Sequence, residues 1–435
     1  MREIIDLAQE NIEIPNAILI GLESSESAYD FEHSMTEMVS LIEACELSVV
    51  ATFTQNLEHP DKATYIGKGK AYEVADAVKE HNAEYCIFEG NLSPAQMKNL
   101  QKIVEVPVWD RTNLILEIFS GRAKTRESRL QVETAYLQYM LPRLTGMWQH
   151  LGRQGGGSGS RSNKGIGETQ IELDRRHINH RIAELSRELE TITRTRNVQR
   201  EGRKRGQIPS VALVGYTNAG KSSLMNKLLT LSGREEEKQV FEKNMLFATL
   251  DTSIRHIYRE NKRDFLLSDT VGFIENLPHG LVKAFRSTLE EVKYADLLLI
   301  VLDSSDEYHK QHRQVTEDTL KELEAGDIPR IYVMNKMDLL PADSTRKIKA
   351  SENSVYISTR TGEGISELLE EIEKVLFGSE SQIQALIPYS RGDLLDELHR
   401  NASIISEEYT ADGTLICAKC PTRIVGKIEE FCVKN

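Results

Sequence analysis

The chain has 435 residues, 40% hydrophobic and 28% charged, with a formal net charge of −13. That length exceeds one ordinary core, so about three domains are expected. Its longest clean apolar run, Leu297–Leu302, is far too short to span a bilayer, and the opening "MREIIDLAQENIEIP" is too acidic for a signal peptide.

Residues 1–123 alternate short apolar runs with amphipathic stretches. "AILIGL" (17–22), "LSVVATF" (47–53), "YCIFEG" (85–90) and "VPVWD" (106–110) read as strands. "SMTEMVSLIEAC", "KAYEVADAVKEH" and "SPAQMKNLQKIV" read as helices between them. The alternation predicts an N-terminal α/β domain with a mostly parallel sheet. "IGKGK" (66–70) is too short for a Walker phosphate loop and reads as a glycine turn before a helix.

From 124 to 206 the pattern is wholly helical. Ile178, Ile182, Leu185, Leu189 and Ile192 step by four, three, four and three, which is a coiled-coil seam. Leu130, Thr134, Leu137, Leu141 and Leu144 keep a similar rhythm. Between the seams lies "HLGRQGGGSGSRSNKGIGETQIELDRR" (150–176), glycine-rich and basic like a flexible linker. Two seams joined by a loop predict a coiled-coil-like antiparallel helical hairpin. Pro142 should kink or shorten the first arm, and the second, from 171 to about 200, would be roughly 45 Å long. Basic residues crowd this segment of an otherwise acidic chain, among them Arg153, Arg161, Lys164, Arg175, Arg176, Arg187 and Arg194. They suit an RNA-binding finger; a solvated helix face and a rigid spacer are the plainer alternatives.

Residues 207–378 return to strand–helix alternation, and 379–435 read as a small α+β domain with a hairpin turn at Asp412-Gly413. Of the five cysteines, only Cys417 and Cys420 are spaced like a metal or redox pair. One CxxC alone is weak, so reduced thiols in a cytoplasmic protein are expected.

The chemistry concentrates in 207–378. "VALVGYTNAGKSSL" (211–224) is a strand, a loop fitting GxxxxGK[ST] and a helix start. Gly215, Tyr216, Thr217, Asn218, Ala219 and Gly220 would cradle phosphates with their backbone N–H groups beside a helix N-terminus. Lys221 would reach the β- and γ-phosphates, and Ser222 would ligate Mg²⁺. "DFLLSDTVGF" (264–273) is a strand ending in DxxG. In it Asp269 would hold Mg²⁺ through water, with Thr270 and Val271 leading to Gly272, whose N–H would face the γ-phosphate. "RIYVMNKMD" (330–338) is a strand ending in NKxD. Asp338 would accept both donors of a guanine edge, Asn335 would support the base, and the Lys336 stem would pack on its face beside Met337. The three motifs come in the order a P-loop GTPase needs, each at a strand end, so GTP and GDP are the expected substrate and product.

"GYTNAGKS", "LFATLDTS", "DTVGF" and "NKMD" together resemble the HflX family, in the Obg–HflX branch of translation-associated GTPases. "YIGKGK" and "GIGETQIELDRR" match it as well, so the resemblance covers nearly the whole chain and makes the glycine loop native. It implies that Thr249 in Phe247-Ala248-Thr249-Leu250-Asp251 is the switch threonine that ligates Mg²⁺ and, with Lys221 and Gly272, serves catalysis. It also implies that Ser358, Thr359 and Arg360 back the guanine. Phe273 stands where many GTPases carry the Gln that orients the attacking water, so intrinsic hydrolysis should be slow until a partner completes the site. Asn218 raises K⁺ as an electropositive aid, the alternative being a loop-stabilising hydrogen bond.

The resemblance further implies binding to the large (50S) ribosomal subunit and its 23S-type rRNA, and splitting or rescue of stalled ribosomes under stress. A monomer without DNA partners is expected. A rival reading is a signalling switch whose hairpin binds a protein effector; steep salt dependence would separate RNA binding from it. A GTPase of tRNA modification would want a catalytic Cys or folate site, and none is evident.

Overall fold

The computed structural model describes residues 14–24, 30–144, 163–205, 208–233, 247, 250–259, 263–274, 291–340, 353–378, 380–421 and 428–433. They fall into two units, the described residues up to Thr191 and those from Ile192 onward. The architecture is multidomain α/β.

The first unit opens with β1 (Asn16–Glu23), α1 (Phe31–Ala44), β2 (Ser48–Asn56), α2 (Lys68–Glu80), β3 (Tyr85–Phe88), α3 (Pro94–Val104), β4 (Val108–Asp110) and α4 (Arg111–Arg122). All four strands run parallel in the order β2-β1-β3-β4. Central β1 buries Ala17, Ile18, Leu19 and Ile20 completely, the continuous apolar run of a strand covered on both faces. Helix starts follow local chemistry. Asp30 caps α1, and Ser93 with Gln96 forms a capping box ahead of Pro94 in α3. Gly67 precedes α2 and donates its N–H to Gln55 Oε1 at 2.7 Å, so "IGKGK" is a turn before a helix. Asp110, fully buried, caps α4 through Asn113 N–H and also accepts from Tyr139 Oη at 2.9 Å and Arg143 Nη2 at 3.1 Å.

That network ties down α5 (Arg126–Met140), which stops just before the 3₁₀ turn Leu141–Arg143 carrying Pro142. The next described helix, α6, runs Asn163–Arg205, longer at both ends than its seam predicts. The arms are antiparallel: Arg126 pairs with Glu188 at 2.7 Å and Glu133 with Arg181 at 2.8 Å. Leu185 is fully buried and Ile178, Ile182 and Leu189 half-buried. On α5 the predicted seam holds only in part. Leu130, Thr134 and Leu144 are buried, Leu137 and Leu141 half-buried, and Val132, Ala135 and Tyr139 are buried besides. The helix is therefore covered more widely than a two-stranded coiled coil requires. The tip, including Arg153 and Arg161, lies outside the described residues; at Lys164 only the helical backbone is described.

The second unit holds β5 (Ser210–Gly215), α7 (Lys221–Leu231), β6 (Ser253–Ile257), β7 (Phe265–Asp269), β8 (Leu297–Asp303), α8 (His309–Glu322), β9 (Arg330–Asn335), β10 (Ser354–Tyr356) and α9 (Ile365–Phe377). The sheet order is β10-β9-β8-β5-β7-β6, parallel except for β6 against β7. Alternate residues of β5 and β8 serve different cores. Val211, Leu213, Leu297 and Leu299 join the α7/α9 side, whereas Ala212, Val214, Leu298 and Ile300 join Val292, Leu320 and Leu323. A strand buried on both faces reads as unbroken hydrophobicity, which explains "LLLIVL".

Beyond α9 come β11 (Glu380–Ile387), α10 (Gly392–Asn401), β12 (Ser403–Thr410) and β13 (Gly413–Pro421), with antiparallel order β11-β13-β12. The hairpin loop is Ala411–Asp412, with Gly413 already paired to Thr410, one residue earlier than expected. Strand β11 was not foreseen. Cys417 and Cys420 sit three apart on β13, which turns them to opposite faces and removes them as a chelating or redox pair. None of the five cysteines forms a disulfide. Among the described residues no helix is long and apolar enough to cross a membrane.

Candidate functional site

The carboxyl ends of β5, β7, β8 and β9 converge, and the loops leaving them carry the three motifs. Gly215 closes β5 at φ +142°, and a Cβ there would stand 2.2 Å from the Val301 carbonyl oxygen. Only glycine fits that crossing. The following loop is zipped to the DxxG segment: Thr217 N–H donates to Phe273 O at 2.8 Å, and Phe273 N–H to Gly215 O at 3.0 Å. Ala219 is buried, and Asn218 (φ +59°) and Gly220 (φ +96°) both take left-handed backbone.

Lys221 begins α7 and is buried. Its Nζ donates to Gly215 O at 3.0 Å and Tyr216 O at 2.7 Å, so two of its three donors are tethered to the loop it follows. Burial pushes its pKa down to about 8, with the Asp269 carboxylate opposing the shift. Ser222 Oγ donates to Asp269 Oδ2 at 2.7 Å. A hydroxyl and a carboxylate side by side are hard oxygen donors of the kind a small divalent cation takes. Thr270 fixes the strand end through Leu213 O at 2.7 Å, and Val271 is buried. Gly272 lies against the phosphate loop, for its missing Cβ would meet Thr217 Cγ2 at 2.8 Å and Lys221 Nζ at 3.0 Å. Thr217 Oγ1 is buried there and takes no hydrogen bond among the described residues, as befits a cradle that a polar group would fill.

Phe273 points away from the nucleotide loops. Its side chain is 2% exposed and packs with Ala212, Val214 and Ile300. The ring belongs to the core, where no attacking water would meet it.

The base side is equally built. Asn335, fully buried, donates from Nδ2 to Ala219 O at 2.9 Å and accepts from Thr359 N–H at 3.1 Å. One side chain thus joins three loops. Ser358 Oγ donates to Asp338 Oδ1 at 2.7 Å, which aims that carboxylate. Exposed Arg360 approaches Asp338 Oδ2 at 3.8 Å, a pair loose enough to yield to a ligand. Met337 starts a 3₁₀ turn with its N–H on Ile357 O at 3.1 Å. Lys336 pairs with Asp303 at 2.6 Å, and Ser304 donates from both N (2.9 Å) and Oγ (2.6 Å) to Asn335 O.

Asp303 and Ser304 were missed, although Asp303 ends "LLLIVLD" and strand ends are where such loops start. Of the predicted switch segment, Phe247 and Leu250 are each 2% exposed and Asp251 is half-buried; Ala248 and Thr249 lie outside the described residues.

Four family models match the chain: "GTP-binding GTPase N-terminal" over 32–120, "GTP-binding GTPase Middle Region" over 122–203, "50S ribosome-binding GTPase" over 210–336 and "HflX C-terminal domain" over 343–420. The chain is 41% identical over 420 residues to the GTPase HflX of Caldanaerobacter subterraneus subsp. tengcongensis, covering 96% of this chain and 94% of that protein. It is 39% identical over 384 residues to the GTPase HflX of Escherichia coli (strain K12), covering 88% of each. Among solved structures, the complex of SsGBP with GDP is similar at 26% identity and a TM-score of 0.47, covering 83% of this chain and 98% of that one.

Proposed function

The chain belongs to the HflX family of GTPases, and from that membership we propose a guanine-nucleotide switch that binds the large ribosomal subunit and splits or rescues stalled ribosomes. That it is a P-loop GTP hydrolase follows from the family. The ribosomal part rests chiefly on one observation, the match of residues 210–336 to the model described as a 50S ribosome-binding GTPase. The antiparallel arms support it, for Arg175, Arg176, Arg187 and Arg194 are exposed on α6 and suited to RNA phosphates. A cytoplasmic monomer acting on 23S-type rRNA is the corresponding setting.

In the proposed cycle the N–H groups of 215–222 and the Lys221 ammonium hold the phosphates. Asp338, aimed by Ser358, accepts the two donors of the guanine edge, and Asn335 keeps the base loop against the phosphate loop. Ser222, Asp269 and Thr249 would hold Mg²⁺, which when bound offsets the charge on the β- and γ-phosphates. The Gly272 N–H faces the γ-phosphate, so its presence or loss is felt along the DxxG segment. With Phe273 in the core, no side chain there orients the attacking water, and the bound ribosomal subunit supplies what is missing. Asn218, exposed in left-handed backbone, takes the K⁺ role in this cycle.

Sedimentation with large ribosomal subunits and a non-hydrolysable GTP analogue tests the reading. Co-sedimentation should weaken steeply with salt and fall when 154–165 is deleted. Absence of binding to subunits even at low salt would remove the ribosomal function and leave the GTPase. Binding insensitive to salt would favour a protein effector.

A further inference from the structure

One residue of the phosphate loop makes a contact that the nucleotide chemistry does not explain. The Tyr216 ring is buried and lies flat on the imidazole of His312, with centroids 3.7 Å apart and planes 11° apart. His312 sits in the first turns of α8 and is itself 5% exposed. Its Nδ1 is 3.5 Å from Asp306 Oδ2, and its carbonyl accepts Thr316 Oγ1 at 2.7 Å. Asp306 in turn accepts Tyr308 N–H at 2.9 Å. The imidazole is therefore held by the loop leading into its helix.

Tyr216 has little freedom of its own. Its carbonyl holds Lys221 Nζ at 2.7 Å, and the residues on either side, Gly215 and Thr217, are hydrogen-bonded to Phe273. The stacked ring adds a side-chain hold to the backbone that presents this carbonyl to the ammonium. The loop carrying Asp306 also reaches the base side, through Asp303 to Lys336 and Ser304 to Asn335. One segment, 303–312, thus touches the base loop at one end and the phosphate loop at the other.

We propose that His312 is a positioning residue for the phosphate grip: its imidazole stacks on Tyr216, fixes the carbonyl that anchors Lys221, and ties that anchor to the guanine-binding loop through 303–306. The inference rests on the reading that 215–222 holds the phosphates, and concerns the free protein, independent of any ribosomal partner.

The test measures GDP affinity and dissociation rate on the full chain with H312A, H312F, H312L and K221A. Loss of one aromatic stack should weaken GDP binding about three- to tenfold in H312A, with faster dissociation. H312F keeps a flat ring and should return affinity to the wild-type range. H312L fills the slot without a ring and should not. If H312L restores binding as well as H312F, the slot needs only volume and the proposal is overturned. The Phe and Leu comparison decides the matter even where H312A folds poorly. If K221A weakens GDP binding while H312A and H312L do not, this inference alone falls. If K221A leaves GDP binding unchanged, the phosphate-loop reading beneath it falls.

Discussion

Gly220 and Asn335 compete for one space. An alanine Cβ at 220 would stand 2.2 Å from Asn335 Nδ2, and the backbone there is left-handed at φ +96°. Holding a non-glycine residue in that region costs about 1–2 kcal/mol. The larger cost comes from displacing the fully buried Asn335 amide, which donates to Ala219 O and accepts from the part-buried Thr359 N–H. Each buried group left unmade costs about 1–3 kcal/mol. Gly220→Ala should therefore destabilise by roughly 3–8 kcal/mol, and Asn335→Ala, which removes the same two bonds without strain, by about 2–6 kcal/mol. Those bonds can be lost only once. The double variant should be scarcely worse than Gly220→Ala, giving a coupling of about 2–6 kcal/mol. Thermal melting of the four proteins without nucleotide measures it, at about 2–4 °C per kcal/mol for a domain of this size. Additive losses within about 0.5 kcal/mol would refute the clash and the idea that Asn335 links the loops.

Other substitutions probe the remaining parts. Asp338→Asn removes the acceptor for two guanine donors, so GDP affinity should fall on the order of 100-fold. Xanthosine diphosphate, which carries a carbonyl in place of the amino group, should bind better than to wild type; competition titration reads both. Arg111 and Glu37 form an ion pair with side chains only 2% and 5% exposed. Glu37→Leu should cost about 3–5 kcal/mol, and Glu37→Leu with Arg111→Met much less, in urea unfolding followed by tryptophan fluorescence. GTP hydrolysis should run faster in KCl than in NaCl, and Asn218→Ala should erase the difference; equal rates in wild type would return Asn218 to a role in the loop alone.

Local rules account for much of this protein. Strands β1, β3, β5 and β8 are apolar runs whose burial on both faces leaves no other place for them, and Ser93-Pro94 with Gln96 announces the start of α3. The nucleotide motifs are contiguous, so spacing alone places Lys221 beside Ser222 and Asp338 after Asn335. A resemblance to one family extended that reading along the chain. What short-range pattern could not carry was the direction of loop side chains. Phe273 follows DxxG with no periodicity to say which way it points, and only the sheet behind it draws the ring into the core. Tyr216 likewise reads as one more loop residue until α8 brings His312 against it from nearly 100 positions away. Strand β11 is flanked by helices, and its partner β13 begins 26 residues after it ends. Backbone hydrogen bonding and apolar periodicity act between near neighbours, so most elements and the loops that hold the reactive groups were legible along the chain. The meeting of Asn335, Ala219 and Thr359 at one amide, and the aiming of Asp338 by Ser358, came from the fold, because those contacts exist once distant strand ends are laid side by side.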